Sequence, residues 1–156
     1  ALSLSAMERD YLIHRIQFIR EALQKVDRLR NPAKVDVGAS KETLAAEYLK
    51  KKGYRLWERN YHCREGEIDL VVNRESLIVF VEVKSRSSQK FGLPHEAVTA
   101  AKRRKIIRAA ERYLYERGLL EGWYIRYDII SILAPKNQLP QIEHIEDAFR
   151  VEGELE

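Results

Sequence analysis

Three ionisable residues stand among branched apolar neighbours, where a charge is hard to keep. Asp69 lies in Ile68-Asp69-Leu70-Val71-Val72, and Glu82 and Lys84 close the run Leu77-Ile78-Val79-Phe80-Val81-Glu82-Val83-Lys84. A charge in such surroundings has to pair, reach solvent at a strand end or bind an ion. Strand side chains alternate, so Glu82 and Lys84 share the face that Ile78 and Phe80 occupy earlier. A hairpin turn near Arg74-Glu75 would set Asp69 beside Glu82. Two adjacent carboxylates repel, and a hard divalent cation, Mg2+ or Mn2+, is the usual neutraliser. An ammonium from Lys84 could then orient or activate a water and stabilise charge on a phosphate oxygen. The simpler alternative is a Glu-Lys pair at a strand end, which contributes little.

The elements that must position these residues follow from periodicity. Ser40 is a candidate N-cap for a helix from Lys41 through Leu49, ending near Gly53. Tyr54 to Tyr61, Ile68 to Val72 and Leu77 to Lys84 read as strands, joined by turns at Arg64 to Gly66 and Asn73 to Ser76, an antiparallel meander. Ser85 to Gly92 reads as a loop. Pro94 to Arg117 carries Val98, Ile106, Ala109, Ala110, Tyr113 and Leu114 at helical spacing, with Gly118 as the stop. Tyr124 to Leu133 is a further strand. The core order is helix, three strands, helix, strand, a mixed α/β sheet with helices against it. Upstream, Leu12, Ile16, Ile19, Leu23 and Val26 form one stripe of an amphipathic helix from Glu8 to Arg30, stopped at Asn31-Pro32. That stripe can dock on its own domain or pair between two copies. The opening Ala1 to Ala6 is expected to lie outside the fold, and Ala33 to Ser40 to be a linker. The tail from Pro135 either frays or packs through Ile142, Ile145 and Phe149.

Composition narrows the class. The chain has 156 residues, 45% hydrophobic and 33% charged, with a formal net charge of +4. That supports one ordinary domain with an appendage and excludes low-complexity and collagen-like chains. No apolar run reaches the roughly 20 residues of a membrane helix and no signal-peptide pattern opens the chain, so a cytoplasmic location without a membrane partner is expected. The single Cys63 excludes an internal disulfide and a thiolate zinc site.

Several blocks together resemble the bacterial YraN-like family: Gly38, Glu42, Ala45, Tyr48-Leu49 and Gly53-Tyr54; Asn60-Tyr61 and Gly66-Glu67-Ile68-Asp69-Leu70; and Phe80-Val81-Glu82-Val83-Lys84-Ser85-Arg86. Lys102, Arg103, Ala109, Tyr113-Leu114 and Arg126-Tyr127-Asp128 extend the similarity, which covers about residues 38 to 133. That family is in turn similar to the restriction-endonuclease-like nucleases, whose PD-(D/E)XK signature would fall on Asp69, Glu82 and Lys84. Ile68 stands in place of the signature proline, and Lys41 where family members often carry Gly. The resemblance implies a restriction-endonuclease-like mixed sheet flanked by helices, with an extra N-terminal helix. It implies a metal held by Asp69, Glu82 and the Val83 carbonyl, with Glu42 assisting as in Holliday-junction resolvases, through a second metal or by orienting Lys84. Asp69, Glu82, Lys84 and Glu42 are thus the expected catalytic set.

Basic residues Lys102, Arg103, Arg104, Lys105 and Arg108 crowd one helix, with Arg86 and Lys90 before it. They are either a phosphate-binding surface or a solvated face. Glu67 shares a strand face with Asp69, as a secondary ligand or a salt-bridge partner. Tyr54, Trp57 and Tyr61 could stack on bases but suit a core. His14, His62, His95 and His144 are expected to be non-catalytic, and Asp128 beside Arg126 to serve the sheet. The expected organisation is an extension at 1–37, a nuclease-like core at 38–134 and a tail at 135–156. The expected function is divalent-metal-dependent endonuclease action on DNA, including branched or repair intermediates, with homodimers allowed by the N-terminal stripe. The alternative is a non-catalytic nucleic-acid-binding or protein-assembly module on the same fold.

Overall fold

The structure, a computed structural model, describes residues 5–30, 40–86, 98–135 and 138–151. It divides into two units, Ala1–Ser40 and Lys41–Glu156. The first is the helix α1 (Ala6–Arg30). Its start lies earlier than Glu8 because Ser5 and Glu8 form a capping box: the Glu8 N–H donates to Ser5 Oγ at 3.2 Å and the Ser5 N–H donates to Glu8 Oε2 at 2.7 Å. The expectation that Ser5 and Ala6 stand outside the fold is corrected accordingly. Leu12, Ile16, Ile19 and Leu23 are exposed along it. The expected linker falls outside the described residues except for Ser40.

In the second unit, helices α2 (Lys41–Lys51) and α3 (Ala100–Glu116) accompany strands β1 (Arg55–Cys63), β2 (Gly66–Arg74), β3 (Leu77–Arg86), β4 (Tyr124–Leu133) and β5 (Gln141–Phe149). The sheet order is β1-β2-β3-β4-β5. Among the described residues only β3 and β4 run parallel, as the intervening α3 crossover requires. This is the mixed α/β architecture of the restriction-endonuclease-like resemblance, with one strand more than the sequence reading. The fifth is the tail: β5 pairs antiparallel with β4, and Ile142 packs against the core while Phe149 is buried. Residues 94–97 of the expected long helix, with Lys90 and His95, lie outside the described residues.

The alternating pattern sorts the two layers. Val79, Val81 and Val83 of β3 and Leu70 and Val72 of β2 pack with Ala45, Ala46 and Leu49 of α2. Phe80 meets Tyr113 of α3 edge-on at 5.7 Å, and Tyr61 meets it at 5.2 Å. Tyr54, Trp57 and Tyr61 are therefore core residues. The small side chains Ala45, Ala46, Ala109 and Ala110, all buried, let both helices lie close to the sheet.

Candidate active site

The hairpin that aligns the site is set by Asn73. Its buried amide donates to the carbonyls of Glu75 at 2.9 Å and Leu77 at 3.0 Å, holding Glu75 in the left-handed region at φ 54°. The turn centres on Glu75-Ser76, one residue later than the sequence reading placed it. The resulting register pairs Leu70 with Val81, so Asp69 and Glu82 are the first residues beyond the last pair.

Paired positions between β2 and β3 end at Leu70 and Val81, while β2 stays paired to β1 and β3 to β4. The sheet forks there. Side chains take the backbone groups that the fork leaves without a ladder partner: the Val83 N–H donates to Asp69 Oδ2 at 2.8 Å, and the Val83 carbonyl accepts from Lys41 Nζ at 3.1 Å.

Glu82 lies in this fork, 4% exposed. Lys84 Nζ stands 3.5 Å and Lys102 Nζ 3.8 Å from its Oε1. Burial, followed by the Asp69 charge, pushes the Glu82 carboxyl up to about 7, and a hydrogen bond with Asp69 adds to the rise; Lys102 and Lys84 oppose it. Glu82 therefore takes up a proton near neutrality, as a carboxyl buried beside another negative charge does.

Lys102 is held from the first turn of α3, where its N–H donates to the Thr99 N-cap at 3.2 Å. Gly66 permits that approach, since a Cβ there would stand 3.2 Å from the Lys105 carbonyl oxygen. Lys102 also meets Glu67 at 3.9 Å, and Glu67 meets His62 at 3.2 Å, so Glu67 takes the salt-bridge reading.

Glu42 is not gathered with Asp69 and Glu82. Among the described residues no group of three or more His, Cys, Asp or Glu side chains stands ready for a metal ion. The reason is that α2 packs on the face of Val79, Val81 and Val83, opposite to Glu82, and Glu42 pairs with Lys41 at 3.9 Å. The same Lys41 ammonium bonds the Val83 carbonyl, so Glu42 is linked to the fork through that lysine. What remains for a cation is two carboxylates and the Val83 carbonyl. Three protein oxygens fit a hard ion that keeps several waters, as Mg2+ does, and not a closed cage.

Of the basic residues, Arg104, Lys105 and Arg108 are exposed on α3. Arg103 is committed inward: its Nε donates to the Val98 carbonyl at 3.0 Å and its guanidinium lies over the Phe149 ring at 5.6 Å. Arg86 is half-buried at the end of β3.

A second charged cluster, unforeseen in extent, surrounds Asp128. This fully buried carboxylate accepts Arg126 Nε and Nη2, both at 2.8 Å, the Asp147 N–H at 3.0 Å, and stands 2.7 Å from His144 Nε2. Burial favours the neutral acid, but the bonds from His144, Arg126 and Asp147 outweigh it and hold the carboxyl below its ordinary range. Lys52 Nζ lies 2.9 Å from His144 Nδ1, and Tyr54 accepts Arg126 Nη2 at 2.7 Å. The Arg126-x-Asp128 spacing signalled only the first of these contacts; His144 and Asp147 arrive with β5.

Comparison with known proteins places this arrangement. The family model described as Uncharacterised protein family UPF0102 matches residues 41–132, more than half of the chain. The chain belongs to the UPF0102 family. A UPF0102 protein of Clostridium botulinum (strain Loch Maree / Type A3) is 38% identical over 117 residues, covering 74% of this chain and 95% of that protein. A UPF0102 protein of Clostridium perfringens (strain ATCC 13124) is 41% identical over 116 residues, covering 74% and 94%. The UPF0102 match includes Asp69, Glu82, Lys84 and the Asp128 cluster up to β4, and ends before β5. No helix among the described residues is long and apolar enough to cross a membrane.

Proposed function

We propose that this chain is a divalent-metal-dependent nuclease that hydrolyses phosphodiester bonds in DNA, with branched or repair intermediates as the substrate class. The observation that carries the reading is the Asp69–Glu82 pair in the sheet fork with Lys84 Nζ at 3.5 Å. Glu82 is buried beside a second carboxyl, and such a like-charge arrangement is costly to keep unless a ligand uses it. Asp69, Glu82 and the Val83 carbonyl would hold Mg2+ or Mn2+, which when bound supplies Lewis-acid stabilisation and a more acidic water. Lys84 orients the attacking water and steadies the developing charge on phosphate oxygens. Lys102, reaching the same Glu82 oxygen from α3, balances its charge together with Lys84, and Arg104, Lys105 and Arg108 give the backbone a basic surface to lie on. Glu42 acts at one remove, by positioning Lys41.

The same exposed α3 surface supports the alternative of a non-catalytic nucleic-acid-binding module. Cleavage of linear, branched and single-stranded DNA and of RNA, with Mg2+ or Mn2+ and with chelator, separates the two. Metal-dependent products that vanish in Lys84→Met support the nuclease; binding without cleavage in every condition supports the module. Calorimetric titration with Mn2+ tests the ligands directly, since Asp69→Asn should abolish the binding seen with the wild type.

A further inference from the structure

Lys41 is placed where helix electrostatics disfavour it. It is the first residue of α2, whose N-terminal end carries the partial positive charge of the helix, and cations gain nothing there. Its stem nevertheless spans to the sheet, where the ammonium donates to the Val83 carbonyl at 3.1 Å and stands 3.9 Å from Glu42. In a strand the N–H and C=O of one residue point toward the same edge. Both groups of Val83 therefore face the fork, one closed by Asp69 and the other by Lys41. The ammonium thus neutralises, from within the chain, a corner of the very oxygen set that the proposed cation would use.

We propose that Lys41 is a resident cation of the fork: it occupies the Val83 carbonyl when no divalent ion is bound and withdraws when one binds, so it sets the affinity of the site for metal. The inference rests on the metal-site reading above and concerns its regulation. A divalent ion and an ammonium on one carbonyl oxygen repel each other, so the ion enters most favourably by displacing this charge-assisted hydrogen bond. Losing that competitor removes a cost that every binding event otherwise carries. Lys41 then has a second station beside Glu42.

The test is Mn2+ titration by calorimetry on the full chain, comparing wild type, Lys41→Met and Lys41→Arg, with thermal melts on each. Lys41→Met keeps the stem and removes the charge, and is expected to bind Mn2+ about ten-fold more tightly, the scale of one hydrogen bond to a charged group. Lys41→Arg, which keeps a cation at the carbonyl, should bind no more tightly than wild type. Unchanged or weaker binding by Lys41→Met, in a protein that still binds through Asp69, would overturn the proposal and leave Lys41 as a structural tie between α2 and β3. Tighter binding by both variants would overturn it too, because charge would then not be the competitor. Absence of Mn2+ binding in all three would instead overturn the metal-site reading itself, and the resident-cation idea with it.

Discussion

Two buried carboxylate clusters sit on the same sheet and are built on opposite principles. Asp128 is saturated: a two-pronged arginine, a histidine and a backbone N–H meet its two oxygens at 2.7 to 3.0 Å, and its acidity is strengthened despite burial. Glu82 faces another carboxyl and two ammoniums at 3.5 and 3.8 Å, and its acidity is weakened to a pKa of about 7. The contrast separates a cluster saturated with donors from the one on which the proposed nuclease reading rests. Burial alone identifies neither; the count and geometry of donors does.

The largest effect expected is at Asp128. Asp128→Ala leaves Arg126 and its neighbours without their acceptor and should cost about 3–5 kcal/mol in urea unfolding, the scale for breaking one side of a buried pair. A loss below 1 kcal/mol would erase the distinction between the clusters. Next, Lys84→Met should lower metal-dependent cleavage by about 10²–10³-fold, the range for one electrostatic group at a reacting phosphate, while the melting temperature stays near wild type. A large drop in both would make Lys84 part of the scaffold.

The pH dependence sharpens the comparison further, because the two shifts have opposite signs. Glu82 has its folded pKa raised, so the native state keeps a proton that the unfolded chain releases. That stabilisation is complete below about pH 4.5 and fades as pH rises to about 7. Glu82→Gln, which cannot ionise, should therefore gain on wild type by on the order of 2 kcal/mol at pH 8, with the gap closing near pH 4.5. For Asp128, whose folded pKa is lowered, stability is present above its unfolded value and fails as pH falls through the folded one. Denaturation curves at pH 4.5 and 8 that show no such gap for Glu82→Gln would mean that the fork is wetter than its burial implies.

Smaller effects are expected outside both clusters. Replacing Arg104 and Arg108 by Gln should reduce the salt slope of DNA binding by about one unit per lost phosphate contact, with Arg103 left intact because it serves packing. An unchanged slope would assign the exposed α3 face to solvent. Truncation before Val35 tests α1 by light scattering: a dimer turning into a folded monomer supports pairing between copies. Lost stability at unchanged mass supports docking on the same chain, and a full-length monomer at high concentration ends the pairing idea.

The sequence by itself determined the antiparallel meander, the helix that follows it and the strand Tyr124–Leu133, because branched apolar runs bounded by turn residues mark buried strands and the helix repeats its apolar residues at helical spacing. It also determined that Asp69 and Glu82 would be difficult to leave alone, since a charge inside a branched apolar run is a local anomaly visible without coordinates. Tertiary structure decided the rest. The fork between β2 and β3, the arrival of Lys102 from α3 and the closing of the Asp128 cluster by His144 of β5 all join residues far apart in the chain. Such contacts leave no period in the sequence, because they depend on how whole layers stack and where one strand departs from its neighbour. Lys41 is the sharpest case: as a sequence letter it is an odd start to a helix, and only the open edge at Val83 gives its charge a place to go.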